Sequence, residues 1–476
     1  MVASSTHNLL AFSDVHLGSD LVFHVRPEAP RRTAGSERRD RDLVELLDWY
    51  RQHPVDDKPW RLVIGGDFID FTGMSVMLAE DESSALTEPT DEERRHGLGG
   101  AEDHALAKLR LVMVHHASVM DALSRFIQSG NTLVIVPGNH DVDWHWESVQ
   151  AEFRDTIAGR AGVGVERVEF SPWFYYEEGL IYLEHGHQYD GYCSHDHVLY
   201  PVSPTDPRRT TQSLSDILVR TVVRPTRGMT EGGHDKMGVH DYLRFAGSLG
   251  VSGMVALARR FMNVAVAAFG MWREHVSEAA KAVRREHERK LQQLSQKRAH
   301  SVERLRSLLG LQHPPLTRDL GSIASSLMID QLVLGAVVLA GVCAVLVWIE
   351  HWGVASSTSL GVLLGLAGAR HIWLRRASVE PSALLRERSA AVARLFPAAV
   401  VVMGHTHLPE VRRAAEDTTY INLGAWTEDE TEDGRAPSLP ATRTHLVLTR
   451  AASGPSAQLL TWSASGPTPF TDGKRS

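Results

Sequence analysis

The chain has 476 residues, 43% hydrophobic and 23% charged, with a formal net charge of −8, which is the composition of a folded protein and excludes a disordered or fibrous one. At roughly 100–200 residues per domain, it is long enough for two or three structural units. Only two cysteines are present, Cys193 and Cys343, so a disulfide framework or multi-cysteine zinc site is excluded, and the acidity argues against a nucleic-acid partner. The N-terminus shows no secretory signal, because Met1–Asn8 is polar and Leu9–Phe12 is too short for an apolar signal core. The N-terminal part is therefore expected to stay in the cytoplasm.

Five short apolar runs end at polar turns. Leu9–Phe12 precedes Ser13-Asp14, Leu62–Ile64 precedes Gly65-Gly66-Asp67, and Leu133–Val136 precedes Pro137-Gly138-Asn139-His140-Asp141. Further on, Leu180–Leu183 precedes Glu184-His185-Gly186-His187, and Val400–Met403 precedes Gly404-His405-Thr406-His407. Each reads as a buried strand bounded by Gly or Pro. Helical patterns around Arg41–Tyr50 and Ala105–Ile127 lie between the first three, which predicts an α/β sheet with helices on its faces. Ligands in such sheets sit beyond the carboxyl ends of the strands, where these turns fall.

Residues 201–394 read as a helical insertion. Glu274–Leu311 is charged, with apolar residues spaced by threes and fours; it predicts a long amphipathic helix, either packed on its own domain or serving as an oligomerisation arm. In the apolar stretch Leu249–Trp272, Arg259 and Arg260 make spanning a bilayer costly, so it is expected to lie on a membrane surface or pack internally. Leu332–Ile349 and Trp352–Ala369 carry no charge and are each about 27 Å long as helices, at the threshold for crossing a bilayer. Arginines flank the pair and none lies at its tip, which predicts a transmembrane hairpin over about 331–374 with both ends cytoplasmic. Strand-like pieces resume at Thr419–Leu423, Thr444–Thr449 and Leu459–Trp462. The expected organisation is therefore 1–200 and 395–476 as two parts of one domain, with 201–394 inserted between them.

The five turns carry Asp14, His16, Asp67, Asn139, His140, His185, His405 and His407. Carboxylate, amide and imidazole donors suit divalent ions such as Mn, Fe, Zn or Co, and a carboxylate can bridge two ions. Asp14-x-His16, Gly66-Asp67-x-x-Asp70, Gly138-Asn139-His140-Asp141, His185-Gly186 and Gly404-His405-Thr406-His407 resemble, in order, the five blocks of the calcineurin-like metallophosphoesterase superfamily. The resemblance covers residues 1 to about 200 and about 395 to 430. It implies a four-layer αββα sandwich and a phosphoesterase site with two divalent ions, one on Asp14, His16, Asp67 and His407 and the other on Asp67, Asn139, His185 and His405. It further implies that a metal-bridging hydroxide attacks a phosphate mono- or diester. His140 would contact the phosphate or protonate the leaving oxygen, and Asp70 and Asp141 would orient imidazoles. His187 competes with His185 as a ligand; His185 is favoured because it directly follows its strand.

The pairing of a catalytic unit with membrane segments is also similar to the UDP-2,3-diacylglucosamine pyrophosphatases of lipid A synthesis. That group has Arg where this chain has His140, which favours a more generic phosphoesterase. The expected substrate is a phosphate ester, lipid-linked if anchoring serves catalysis. A catalytically inactive membrane scaffold is the rival reading, and oligomeric state is left open. Cys193, His195, Asp196 and His197 are expected in a loop beside the site mouth, His115 and His116 as structural or surface residues, and Trp144 and Trp146 as packing. The arginines from Arg26 to Arg39 read as a solvated loop or an anion-attracting one.

Overall fold

A computed structural model describes residues 7–22, 33–77, 86–226, 245, 247–327, 365, 380–428, 441–451 and 454–471. Every apolar run expected to be a strand is one. The first sheet has the order β12-β11-β10-β1-β2-β3-β4. Its members are β1 (Asn8–Phe12), β2 (Trp60–Gly65), β3 (Thr132–Val136), β4 (Val168–Phe170), β10 (Thr444–Ala451), β11 (Gly454–Ser463) and β12 (Gly466–Pro469). β1 to β4 run parallel, and the C-terminal strands add an antiparallel flank through β10 on β1. The second sheet, β5-β6-β7-β9-β8, comprises β5 (Tyr175–Glu177), β6 (Gly179–Leu183), β7 (Ala398–Met403), β8 (Glu410–Ala415) and β9 (Thr418–Asn422).

The strands read as continuous apolar runs because both faces of each sheet are covered. In β1, Leu10 and Phe12 pack outward with α1 (Ala34–Gln52), α2 (Glu102–His115), α3 (Ala117–Gln128) and α4 (Glu147–Ala161). Leu9 and Ala11 point the other way, into an inner layer shared with Val400 and Val402 of β7 and Ile181 and Leu183 of β6. Val401 and Met403 of β7 then face a third core built with α5 (Glu278–Arg298), α6 (Val302–Leu309) and α7 (Pro381–Leu395). The period-two alternation thus stacks helix, sheet, sheet and helix as four layers.

The chain divides into two units, one of Met1–Met237, Glu274–Pro315 and Pro381–Ser476, the other of Gly238–Arg273 and Leu316–Glu380. The charged stretch Glu274–Leu311 is not one long arm. Ala299, left-handed at φ 53°, ends α5, and Ser301 caps α6 after it. Leu291, Leu305 and Leu308 are fully buried in the third core, so this stretch packs on its own domain. Most of the helix Gly250–His275 belongs to the second unit; among the described residues it is the one helix long and apolar enough to cross a membrane. The expected hairpin segments Leu332–Ile349 and Trp352–Ala369 lie outside the described residues apart from Gly365, as do Arg26, Arg31 and Arg32.

Candidate active site

The polar turns are clipped to one another by backbone before any side chain acts. Asp14 N–H donates to Gly66 O at 3.1 Å and His16 N–H to Asp67 O at 2.9 Å, tying the turn after β1 to the turn after β2. Gly404 N–H donates to His185 O at 2.9 Å, which joins the turns after β6 and β7. Trp426 N–H and Thr427 N–H both reach Asp14 O at 3.0 Å, and Asn422 Nδ2 donates to Gly404 O at 2.7 Å, so the segment after β9 supports the site.

Nine non-glycine residues among those described have a left-handed backbone, and five of them are Asp14, His16, Asp67, His405 and His407. Such a conformation costs on the order of 1–3 kcal/mol per residue and persists where the surroundings impose it. The concentration at these turns is what aims side chains from separate strands at one place. Gly66, at φ 93°, has a different reason for being glycine: a Cβ there would stand 2.4 Å from His185 Nδ1.

The side chains converge. His407 Nε2 lies 3.2 Å from Asp14 Oδ1, His185 Nε2 is 3.1 Å from Asp67 Oδ2, and His16 Nε2 is 3.6 Å from the same Asp67 oxygen. Asn139 Oδ1 meets His405 Nδ1 at 3.1 Å. Asp14, His16 and His407 form one group able to hold a cation, and Asp14, Asp67 and His185 form another. His16 Nε2 and His185 Nε2 are buried without a hydrogen-bond partner among the described residues, which costs free energy in an apolar interior. Two imidazole nitrogens and a carboxylate that crowd together without bonding are the donor arrangement a divalent ion satisfies.

The electrostatics point the same way. Burial alone would lower the His185 imidazole, but the carboxylates of Asp67 and Asp14 outweigh it and hold it up at about 9. A negative field that retains a proton there would retain a cation equally. His16, buried and beside His140, is pushed down to about 4, so it presents a lone pair at neutral pH. His187 is not in the converging set: its ring centroid is 5.4 Å from that of His185, and Gln188 Nε2 bonds its Nε2 at 2.9 Å.

His140 stands at the edge of this cluster, 4.6 Å from the His16 ring. Its Nδ1 bonds Asp70 Oδ1 at 2.8 Å, and its backbone N–H donates to Asp67 Oδ1 at 2.9 Å. Burial opposes the charge on Asp70, yet His140 and the Arg224 guanidinium hold its carboxyl well below the usual carboxylate range. Asp141 differs from the expectation that it orients an imidazole. Its carboxylate accepts from Gly138 N–H at 2.5 Å, Phe68 N–H at 2.8 Å and the Trp144 indole at 3.1 Å, so it braces the turn. Burial, then the nearby Asp67 charge, push it up to about 7.

Three participants escaped the sequence reading. Arg224 Nη2 reaches Asp70 Oδ2 at 3.1 Å, while Nη1 of the same side chain donates to Ser19 O at 3.0 Å. Asp190 Oδ2 lies 3.3 Å from His405 Nε2, with Cys193 in the same group. Asp20 lies beside both His115 and His116, because the helical pattern breaks at His116 into α2 and α3 and turns the neighbouring rings together. His116 Nε2 accepts Gly18 N–H at 3.0 Å and its Nδ1 bonds Asp40 Oδ2 at 2.7 Å, an anchor for the chain just after His16. Both histidines are structural, as read. Trp144 packs on Phe71 and Phe153, also as read.

No curated protein matches the chain. The family model described as Calcineurin-like phosphoesterase matches residues 7–252, which is more than half of the 476 residues. That span holds the first four blocks, and the fold brings the fifth, at the end of β7, into contact with them. With a two-sheet α/β core and groups of metal-ligating side chains at the strand ends, the chain belongs to the calcineurin-like phosphoesterase family.

Proposed function

We propose that the protein is a dinuclear metal-dependent phosphoesterase that hydrolyses a phosphate mono- or diester. The observation that carries this is the convergence of Asp14, His16, Asp67, His185 and His407, with two buried imidazole nitrogens left unbonded between carboxylates. Asp14, His16, Asp67 and His407 would hold one divalent ion, and Asp67, Asn139, His185 and His405 the other. Ions bound there supply charge neutralisation for the phosphoryl group and acidify a nucleophilic water. Asp70, kept ionised, accepts the Nδ1–H of His140 and favours its imidazolium form, whose Nε2–H contacts phosphate and passes its proton to the departing oxygen, leaving a neutral ring with the proton on Nδ1. Arg224 fixes Asp70 from the opposite oxygen. Asp141 holds the Asn139–His140 turn in place.

The test is hydrolysis of bis-p-nitrophenyl phosphate and p-nitrophenyl phosphate by purified protein stripped with chelator and then supplied with Mn, Fe, Co or Zn. Turnover should be absent after stripping and return with at least one metal. Metal-independent rates would sink the proposal, and no turnover with any metal would sink it in favour of an inactive scaffold.

We place the reaction at a membrane face. The helix Gly250–His275 exposes Val251, Val255, Met262, Val266 and Phe269, whose spacing puts them on one narrow stripe at 100° per residue. Arg259 borders that stripe, the arrangement of a helix lying in a lipid headgroup layer. Membrane fractions of expressing cells should hold the protein after a high-salt wash, and changing Val255 and Val266 to Glu should release part of it. Wild-type protein that washes off completely would overturn this placement.

A further inference from the structure

A cavity of about 270 Å³ opens beside the candidate metal centre and is used by nothing described so far. Gly138, His185 and Gly186 form one wall, so the cavity begins where the ligand-bearing turns end. Trp144, Phe170 and Trp173 supply flat apolar surface. The volume is near the lower end of small-ligand pockets, roughly 300–1,000 Å³.

Its polar lining is unsatisfied from within the protein. His187 and His195 line it and are only 6% and 5% exposed, yet His187 Nδ1 and His195 Nε2 have no hydrogen-bond partner among the described residues. The other nitrogen of each ring is engaged, His187 Nε2 by Gln188 and His195 Nδ1 by Thr211 Oγ1. Since Gln188 donates to His187 Nε2, the proton of a neutral His187 ring sits on Nδ1 and needs an acceptor.

The mouth is basic in a chain poor in lysine. The sequence contains only seven lysines, and two of them, Lys290 and Lys297, line this cavity. Seven residues apart on α5, they lie on the same helix face about 10 Å from each other. No salt bridge engages either lysine among the described residues; Lys290 rests over the Tyr200 ring. Glu147 also lines the rim, and Glu184 in the wall is bonded to the Tyr189 hydroxyl.

We propose that this cavity is the subsite for the substrate's leaving group, and that it selects a ring-bearing group carrying its own anionic substituent. The ring lies against the aromatic walls, an oxygen acceptor takes the His187 Nδ1 proton, a polar group meets His195 Nε2, and the anionic substituent meets Lys290 and Lys297. This rests on the phosphoesterase reading above, since it assigns the organic part of the same ester.

The experiment uses metal-loaded full-length protein and a Lys290→Ala/Lys297→Ala variant, with p-nitrophenyl phosphate and its ring-carboxylated analogue 3-carboxy-4-nitrophenyl phosphate. Wild type should show a KM at least ten-fold lower for the carboxylated ester, and the variant should lose that preference. A KM ratio identical in the two proteins overturns the assignment. A second measurement does not depend on turnover. Calorimetric titration with the free leaving group, 5-hydroxy-2-nitrobenzoate, should show binding to wild type and a ten-fold or greater weakening in the variant. Absence of binding, or equal binding, overturns the subsite even if hydrolysis is observed. Binding that follows the expected pattern without hydrolysis supports the subsite and faults only the phosphoesterase reading.

Discussion

An Asp67→Asn variant should lose metal-stimulated hydrolysis by about 1,000-fold, the equivalent of ~4 kcal/mol of lost transition-state stabilisation. Asp67 Oδ2 is the oxygen approached by both His16 and His185, so neutralising it weakens both candidate ion positions together. The amide keeps an oxygen for the His140 backbone N–H, so the turn after β3 should survive. In metal-free protein the change relieves repulsion with Asp14 but leaves the buried His185 imidazole without the carboxylate charge that pairs with it, so Tm without metal should fall. The check is paired: turnover against metal concentration, and Tm with and without added Mn. Wild type should gain Tm with metal and the variant should gain little. A variant with wild-type turnover and the wild-type metal shift would remove Asp67 from the centre.

The second large effect belongs to His140. His140→Ala should reduce kcat by roughly 100- to 10,000-fold with an alkyl phosphate, whose leaving oxygen needs a proton. With p-nitrophenyl phosphate, whose leaving group departs as a stable anion, the loss should be much smaller. Asp70→Asn should follow the same pattern more weakly, because it disturbs the Nδ1 bond of His140 without removing the ring. Comparing the two esters across both variants separates proton donation from simple positioning. Equal losses for the two esters would mean that His140 orients phosphate and transfers no proton.

The parts of the fold that could be read in advance were those in which burial dictates composition. β1, β2, β3, β6 and β7 lie between covered faces, so each carries an apolar run of at least three residues toward its C-terminal end, and that end is marked by the first residue that must leave the sheet. The ligand turns were legible for the same reason. Asp190 and Arg224 were not, because neither follows a strand and each reaches its partner through tertiary contact, His405 for one and Asp70 for the other. The break between α5 and α6 was hidden because Ala299 is a good helix former that the packing forces into a left-handed turn. For Asp141 the resemblance implies an imidazole partner, but its donors are two backbone amides and an indole, which no motif spacing reveals.

The meeting of Asp14 with His407 has a consequence for biosynthesis. The two residues are separated by nearly the whole chain, and β1 also pairs with β10. A ribosome must therefore have released residues beyond His407 before the pocket can close, and such distant pairing forms slowly. A fragment ending at residue 252 would carry all that the family model recognises and still lack both histidines of the last block. The nascent protein therefore cannot complete this cluster of ligating side chains until His405 and His407 have been made.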